Sequence, residues 1–145
     1  VNGVDYWFVD DGHFMEMRDR GELLEWAEYS GRLYGTPRRP VTERLRAGDD
    51  VLLDIEVHGA MQVKSAFPEA IAIFIAPPSL QELERRLLGR SDTDPEEISR
   101  RLDIARWQLT VAGEQFDHVV VNASVDRAVG EILRILGSPS TKAEQ

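Results

Sequence analysis

The sequence predicts an α/β fold: a parallel sheet covered by helices, with a small antiparallel subdomain inserted at one end. Three observations carry this. From Val51 onward, strand-like and helix-like segments alternate in the order β-α-β-α-α-β-α, the pattern of parallel strands joined by crossover helices. The run from Ile71 to Ala76 is unbroken and apolar, as in a strand buried on both faces. The first third instead holds two strand-like runs around Gly31, which reads as a hairpin.

Each element has a local reason. Tyr6 to Val9 reads as a short strand, and Asp11 is placed to cap a helix carrying Phe14 and Met17 that Gly21 closes. Leu23 to Tyr29 is strand-like, and Gly31 turns the chain into the return strand Leu33-Tyr34-Gly35-Thr36. A short helix follows Pro40, with Val41 and Leu45 on one face and Gly48 as its stop. In VLLDIEV (51–57) apolar residues alternate, so Asp54 and Glu56 emerge on one face of the expected strand. A helix from about Gly59 to Ala66 leads to the buried strand, which Pro77-Pro78 ends. Ser79 and Glu82 form a capping box ahead of Leu80, Leu83 and Leu87. Asp94-Pro95 with Glu97 opens a longer helix whose stripe is Ile98, Leu102, Ala105, Leu109 and Ala112. His118–Asn122 is a short strand, Val125–Leu136 an amphipathic helix, and the polar segment 137–145 a disordered tail.

Composition narrows function. The 145 residues carry 17 basic and 26 acidic side chains, a formal net charge of −9. That balance argues against a nucleic-acid or membrane-surface partner, which needs a basic footprint. Lysine occurs only at Lys64 and Lys142, so the basic side is almost all arginine. Without cysteine there is no disulfide framework or thiolate site, and His13, His58 and His118 lack metal-ligand spacing. No apolar run approaches membrane-span length and no signal-peptide pattern opens the chain, so a soluble cytoplasmic domain is expected. The chain opens at Val1, already close to strand-like material, and is read as processed or as a fragment.

Three constellations offer chemistry. Asp54 and Glu56, near the C-terminal end of a parallel strand, lie where open α/β sheets bind ligands, and such a pair suits Mg²⁺ held through water and phosphate. An exposed edge strand is the plain alternative. Arg85, Arg86, Arg90, Arg100, Arg101 and Arg106 bracket one loop, where planar guanidinium groups suit phosphate oxygens. Glu82, Glu84, Glu96 and Glu97 would equally pair them as solvated helix faces. Glu25, between Leu24 and Trp26 in a strand, is a carboxylate able to accept two N–H bonds from a guanine edge. Tyr6 and Tyr34 read first as strand packing, and Asn122 as a turn former or a base-edge contact. The phosphate-loop pattern G-x-x-x-x-G-K-[ST] does not occur, and neither lysine follows a glycine-rich turn.

Taken in order, GVDYWFV, GELLEWAEYSGRLYGT, GDDVLLDIEVHGA, IFIAPPSLQELERRLLGR, ISRRLDIA and FDHVVVN resemble the guanylate kinase family from Val1 to about Leu136. The resemblance implies a P-loop nucleoside-monophosphate-kinase fold whose first strand, phosphate loop and two GMP-phosphate arginines lie upstream of Val1. It implies transfer of a phosphoryl group from ATP to GMP with water-bound Mg²⁺, and an inactive chain when these residues stand alone. Guanine recognition falls to Glu25, Thr36 and Asp54, and the GMP phosphate to Tyr6 and Tyr34. The Asp54–Glu56 pair orients substrate and the metal's water shell, Arg86, Arg90 and Arg101 close over ATP, and Asn122 lies beside adenine. Residues 1–48 become the GMP-binding subdomain, 49–88 and 113–136 the core, and 89–112 the lid with its helix. Glu56 stands where the family commonly has aspartate, His58 for glutamine, Ser91 for glycine and Gln108 for glutamate. The alternative from another class is a catalytically dead guanylate-kinase-like module that binds a phosphorylated partner. An unpaired sheet edge is expected to favour self-association.

Overall fold

The computed structural model describes residues 7–29, 31–88 and 95–137. The chain forms two compact units that meet in sequence between Ala70 and Ile71.

In the first unit, α1 (Asp11–Asp19) is capped by Asp10, one residue before the expected cap. The Asp10 carboxylate accepts the His13 N–H at 2.9 Å, and this bond holds its carboxyl below the ordinary aspartate range. Gly21, at φ +67°, lets the chain leave the helix. Strands β1 (Leu23–Tyr29) and β2 (Arg32–Pro37) pair antiparallel around Gly31. Their register sets Glu25 opposite Thr36, Trp26 opposite Gly35 and Ala27 opposite Tyr34. A bulge at Leu24 breaks strict alternation, so Leu23, Leu24 and Glu25 are all buried rather than Glu25 and Leu24 facing opposite ways.

One face of the hairpin is closed by α1. A side chain at Gly35 would come within 3.2 Å of the Phe14 ring and 2.8 Å of the Glu25 carbonyl oxygen, so only glycine fits there. Arg18 lies over the Trp26 ring, 5.3 Å from its centre. Helix α2 (Arg38–Arg46) starts two residues before Pro40, because the Arg38 N–H finds the Glu22 carbonyl at 2.8 Å and its Nε the Gly21 carbonyl at 3.2 Å. Helix α3 (Val57–Ala66) likewise begins two residues earlier than expected.

Two expected strands of this unit are not formed. Trp7–Val9 is irregular, and Tyr6 lies outside the described residues. Residues 51–56 also form no strand, although their burial still alternates: Val51, Leu53 and Ile55 are half-buried, and Leu52, Asp54 and Glu56 exposed. Alternation dictates an extended backbone with two faces, whereas a strand also needs a neighbour for its N–H and C=O groups.

In the second unit, β3 (Ile73–Ala76) and β4 (His118–Val121) pair parallel, Ile73 opposite His118 through Ala76 opposite Val121. Asp117 fixes the entry, its carboxylate accepting the Ala72 N–H at 2.7 Å. The run from Ile71 is not buried on both faces: Val120 and Ala76 are enclosed, but Ile71, Ile75, Val119 and Val121 are exposed. A sheet of two strands has too little cover to bury both sides. Ser79 caps α4 (Leu80–Leu88), its hydroxyl accepting the Glu82 N–H at 3.0 Å. Leu87 of α4 packs with Ile98 and Leu102 of α5 (Pro95–Gln115), and Leu83 flanks them. Helix α6 (Val125–Gly137) follows β4 and takes in Gly137, which the sequence assigned to the tail; 138–145 lie outside the described residues. Among the described residues no helix is long and apolar enough to cross a membrane.

Candidate functional site

The first unit buries one charged side chain among its described residues. Glu25 is 5% exposed. Its Oε1 accepts the Thr36 hydroxyl at 2.6 Å, directly across the ladder. Its Oε2 rests against Gly59 in the first turn of α3, where a side chain would lie 2.5 Å away. A buried carboxylate is tolerated only with such partners. A carboxylate offers about four lone-pair directions and Thr36 uses one, so Glu25 keeps acceptor capacity for a ligand's N–H groups.

Helix α3 is fastened to the outer edge of β1 by a side chain. The Gln62 amide oxygen accepts the Trp26 N–H at 3.1 Å, and its Nε2 donates to the Trp26 carbonyl at 2.8 Å. Gln62 thus occupies the place of a neighbouring strand and fixes α3 relative to Glu25. Sequence reasoning missed both Gln62 and Gly59; a glycine in a helix's first turn was the available signal. Pairing puts Tyr34, Thr36, Glu25 and Ala27 on one face of the hairpin, opposite the face that α1 covers. Tyr34 is 42% exposed there.

Asp54 and Glu56 are exposed in the extended segment that feeds α3, and Glu56 sits at its N-cap without a side-chain cap bond. Among the described residues no three potential ligands cluster as a metal cage. Two exposed carboxylates fit Mg²⁺ as it usually binds, through one or two carboxylates, waters and nucleotide phosphates.

The second unit holds a cavity of about 310 Å³ at the C-terminal end of β3. Phe74–Pro77, Leu83, Ala105 and Leu109 supply apolar walls; Arg86, Gln108 and Asn122 supply the polar groups. The Asn122 N–H bonds the Ala76 carbonyl at 2.8 Å, extending the β3–β4 ladder and holding Asn122 at the rim. Arg86 is tethered on its own helix: its Nε donates to Glu82 Oε1 at 2.9 Å, while Arg85 grips both oxygens of Glu82 at 2.7 and 2.8 Å. The two guanidinium groups, Arg85 first, pull the Glu82 carboxyl down to about 2. Arg101 is half-buried on α5. Tyr6 and Arg90 lie outside the described residues. The structure therefore joins Glu25 with Thr36 in one unit, and Arg86 with Asn122 in the other.

Comparison with known proteins places the chain in a family. The sequence matches the model of the guanylate kinase family over residues 1–138. It is 50% identical over 142 residues to the guanylate kinase of Thermobifida fusca, covering 98% of this chain and 72% of that protein. It is 53% identical over 136 residues to a guanylate kinase of Thermus thermophilus, covering 94% of this chain and 61% of that protein. Among solved structures, guanylate kinase from Anaplasma phagocytophilum superposes with a TM-score of 0.75 at 33% identity, covering 94% of this chain and 65% of that one. The chain thus spans roughly two thirds of the length of these relatives. Glu25 on the hairpin and the arginines of the α4–α5 pair belong to a fold shared along almost the whole chain: this protein is a member of the guanylate kinase family.

Proposed function

We propose that this chain supplies the guanine-recognising hairpin and the ATP-side helices of an Mg²⁺-dependent ATP:GMP phosphotransferase. The observation that carries the reading is Glu25, a buried carboxylate braced by Thr36 with acceptor capacity to spare. Guanine presents adjacent N1–H and N2–H donors, which a carboxylate accepts together; adenine presents no such pair. Thr36 and Asp54 complete the base contacts, and Tyr6 and Tyr34 hold the GMP phosphate through their hydroxyls. An oxygen of that phosphate forms the new bond to the ATP γ-phosphorus as the bond to ADP breaks. Arg86, Arg90 and Arg101 neutralise the phosphoryl oxygens during transfer, and Asn122 borders the adenine. Asp54 and Glu56 hold the water shell of Mg²⁺, which supplies charge neutralisation at the ATP phosphates when bound. Residues 1–48 serve as the GMP-binding subdomain, 49–88 and 113–136 as the core, and 89–112 as the lid.

The cavity lined by Arg86 and Asn122 supports the kinase over a phosphopeptide-binding module, which has no use for an ATP-side pocket. The 145 residues contain no glycine-rich loop with lysine to hold the ATP phosphates, so turnover by this chain alone falls below about 1 s⁻¹. Among the described residues the β3–β4 sheet has two strands and so unpaired edges, which supports self-association through an edge; sedimentation that stays monomeric over a wide concentration range contradicts it. Calorimetry with GMP and AMP tests the reading. Saturable GMP binding with AMP at least tenfold weaker is expected; equal affinities overturn it.

A further inference from the structure

The Glu25 carboxylate lies directly against Gly59 of α3. Gly59 is buried in the first turn of α3, and a Cβ built there would stand 2.5 Å from Glu25 Oε2 and 3.2 Å from its Cδ. A real Cβ cannot come so close, so the carboxylate would have to move. Its neighbours limit where it can go. Oε1 is bonded to the Thr36 hydroxyl at 2.6 Å. The strand beneath Glu25 is fixed by pairing with β2, and α3 is clamped to Trp26 by both ends of the Gln62 amide. Neither element can easily retreat, so the adjustment falls on the side chain of Glu25.

The glycine is not needed for the backbone. The positive-φ glycines among the described residues are Gly21, Gly31 and Gly48, and Gly59 is not one of them. Alanine suits its helical conformation better than glycine does. A glycine that the helix does not require, held against the single buried carboxylate of the described residues, points to a role in placing that carboxylate.

We propose that Gly59 is a specificity-determining positioning residue: the space left by its missing side chain seats the Glu25 carboxylate where it meets guanine. This rests on the reading of Glu25 as the guanine acceptor. It assigns to α3 a share in base selection through contact with Glu25, without contact to the base.

The test uses Gly59→Ala beside Glu25→Gln, Glu25→Asp and the double variant Gly59→Ala/Glu25→Asp, all in the full chain. Gly59→Ala is expected to melt cooperatively within about 5 °C of wild type, since alanine's better helix propensity offsets the displaced carboxylate, and this separates the effect from misfolding. Without nucleotide, the side-chain NMR resonances of Glu25 and Thr36 should shift in Gly59→Ala. Calorimetry should then show GMP binding weakened roughly tenfold or more, the loss expected for a displaced charged hydrogen bond. Aspartate is one methylene shorter, so Gly59→Ala should cost less in the Glu25→Asp background than in wild type, a coupling that independent sites do not show. Unshifted resonances, unchanged GMP affinity, or purely additive losses in Gly59→Ala overturn the proposal while Glu25→Gln still fails to bind. If Glu25→Gln binds GMP normally, the reading of Glu25 falls first and the role of Gly59 with it.

Discussion

The hairpin of the first unit and the α4–α5 pair of the second both hold charged groups suited to nucleotide, by opposite means. Glu25 is nearly enclosed, bonded across the ladder to Thr36 and floored by Gly59. Arg86 is half-exposed, and its tether is a carboxylate one turn away on the same helix. Packing leaves Glu25 little choice of rotamer, whereas an exposed ion pair is weak and easily exchanged. The difference suits the tasks proposed for them. Telling guanine from adenine needs an acceptor that does not yield, while a cation that follows a phosphoryl group between two nucleotides needs reach.

The largest effect should come from breaking the packing of one region and watching the other. Leu102→Ala removes a side chain from the small cluster with Leu87 and Ile98 and should lower stability by about 2–5 kcal/mol. Residue-resolved hydrogen exchange should show α4 and α5 losing protection while the amides of β1 and β2 keep theirs. Equal losses in the hairpin would show that the two regions do not stand independently.

Next comes the fixed acceptor. An amide at position 25 cannot accept both guanine bonds, so Glu25→Gln should weaken GMP binding by about 1.5–3 kcal/mol, or tenfold and more, by calorimetry. ATP affinity should not change. A matching loss of ATP affinity would mean that Glu25 supports the fold at large and does not read the base.

Ser79→Ala removes the hydroxyl that caps α4 and should cost about 1 kcal/mol in a denaturant titration. If the tethered region depends on a well-formed α4, the apparent affinity for ATP should fall slightly and that for GMP not at all.

The smallest effect concerns pH. Glu82 titrates near 2, below its ordinary value of 4.5, because Arg85 and Arg86 favour its ionised form. A depressed folded-state pKa gives stability that is present above the unfolded value and is lost as pH falls through the folded one. The Glu82 contribution should therefore be constant from neutral pH to about 4.5 and fade towards 2. Glu82→Gln should flatten that part of an acid-unfolding curve and change little at neutral pH. A large loss of stability at neutral pH would show that the tether is not the weak surface pair described above.

Much of this was legible in the sequence where the determinant is local. Leu23–Tyr29, the Gly31 turn, the Ser79 cap and the stripe from Ile98 to Ala112 all follow from neighbours a few residues away. The resemblance named the fold, and of the three residues it implied for the base, Glu25 and Thr36 stand in contact, while Asp54 lies exposed in the extended segment before α3. What could not be read depends on distant partners. VLLDIEV has the alternation of a strand, but its neighbour is not encoded in those seven residues. The bulge at Leu24 shows in no local pattern either, since three consecutive buried residues look like any apolar run with a glutamate in it. The clasp of Gln62 on Trp26 spans 36 positions, and the seat that Gly59 gives Glu25 spans a similar stretch.

The proposed division of labour between the hairpin and the α4–α5 pair can be followed residue by residue. Backbone and side-chain NMR resonances of the chain would be followed in separate titrations with GMP and with ATP plus Mg²⁺. GMP is expected to move Glu25, Thr36, Tyr34 and Gly59 and leave the α4–α5 cavity undisturbed. ATP is expected to move Arg86, Gln108 and Asn122 and leave the hairpin undisturbed. GMP-induced shifts centred on Arg86 and Asn122, with Glu25 and Thr36 unmoved, would contradict it.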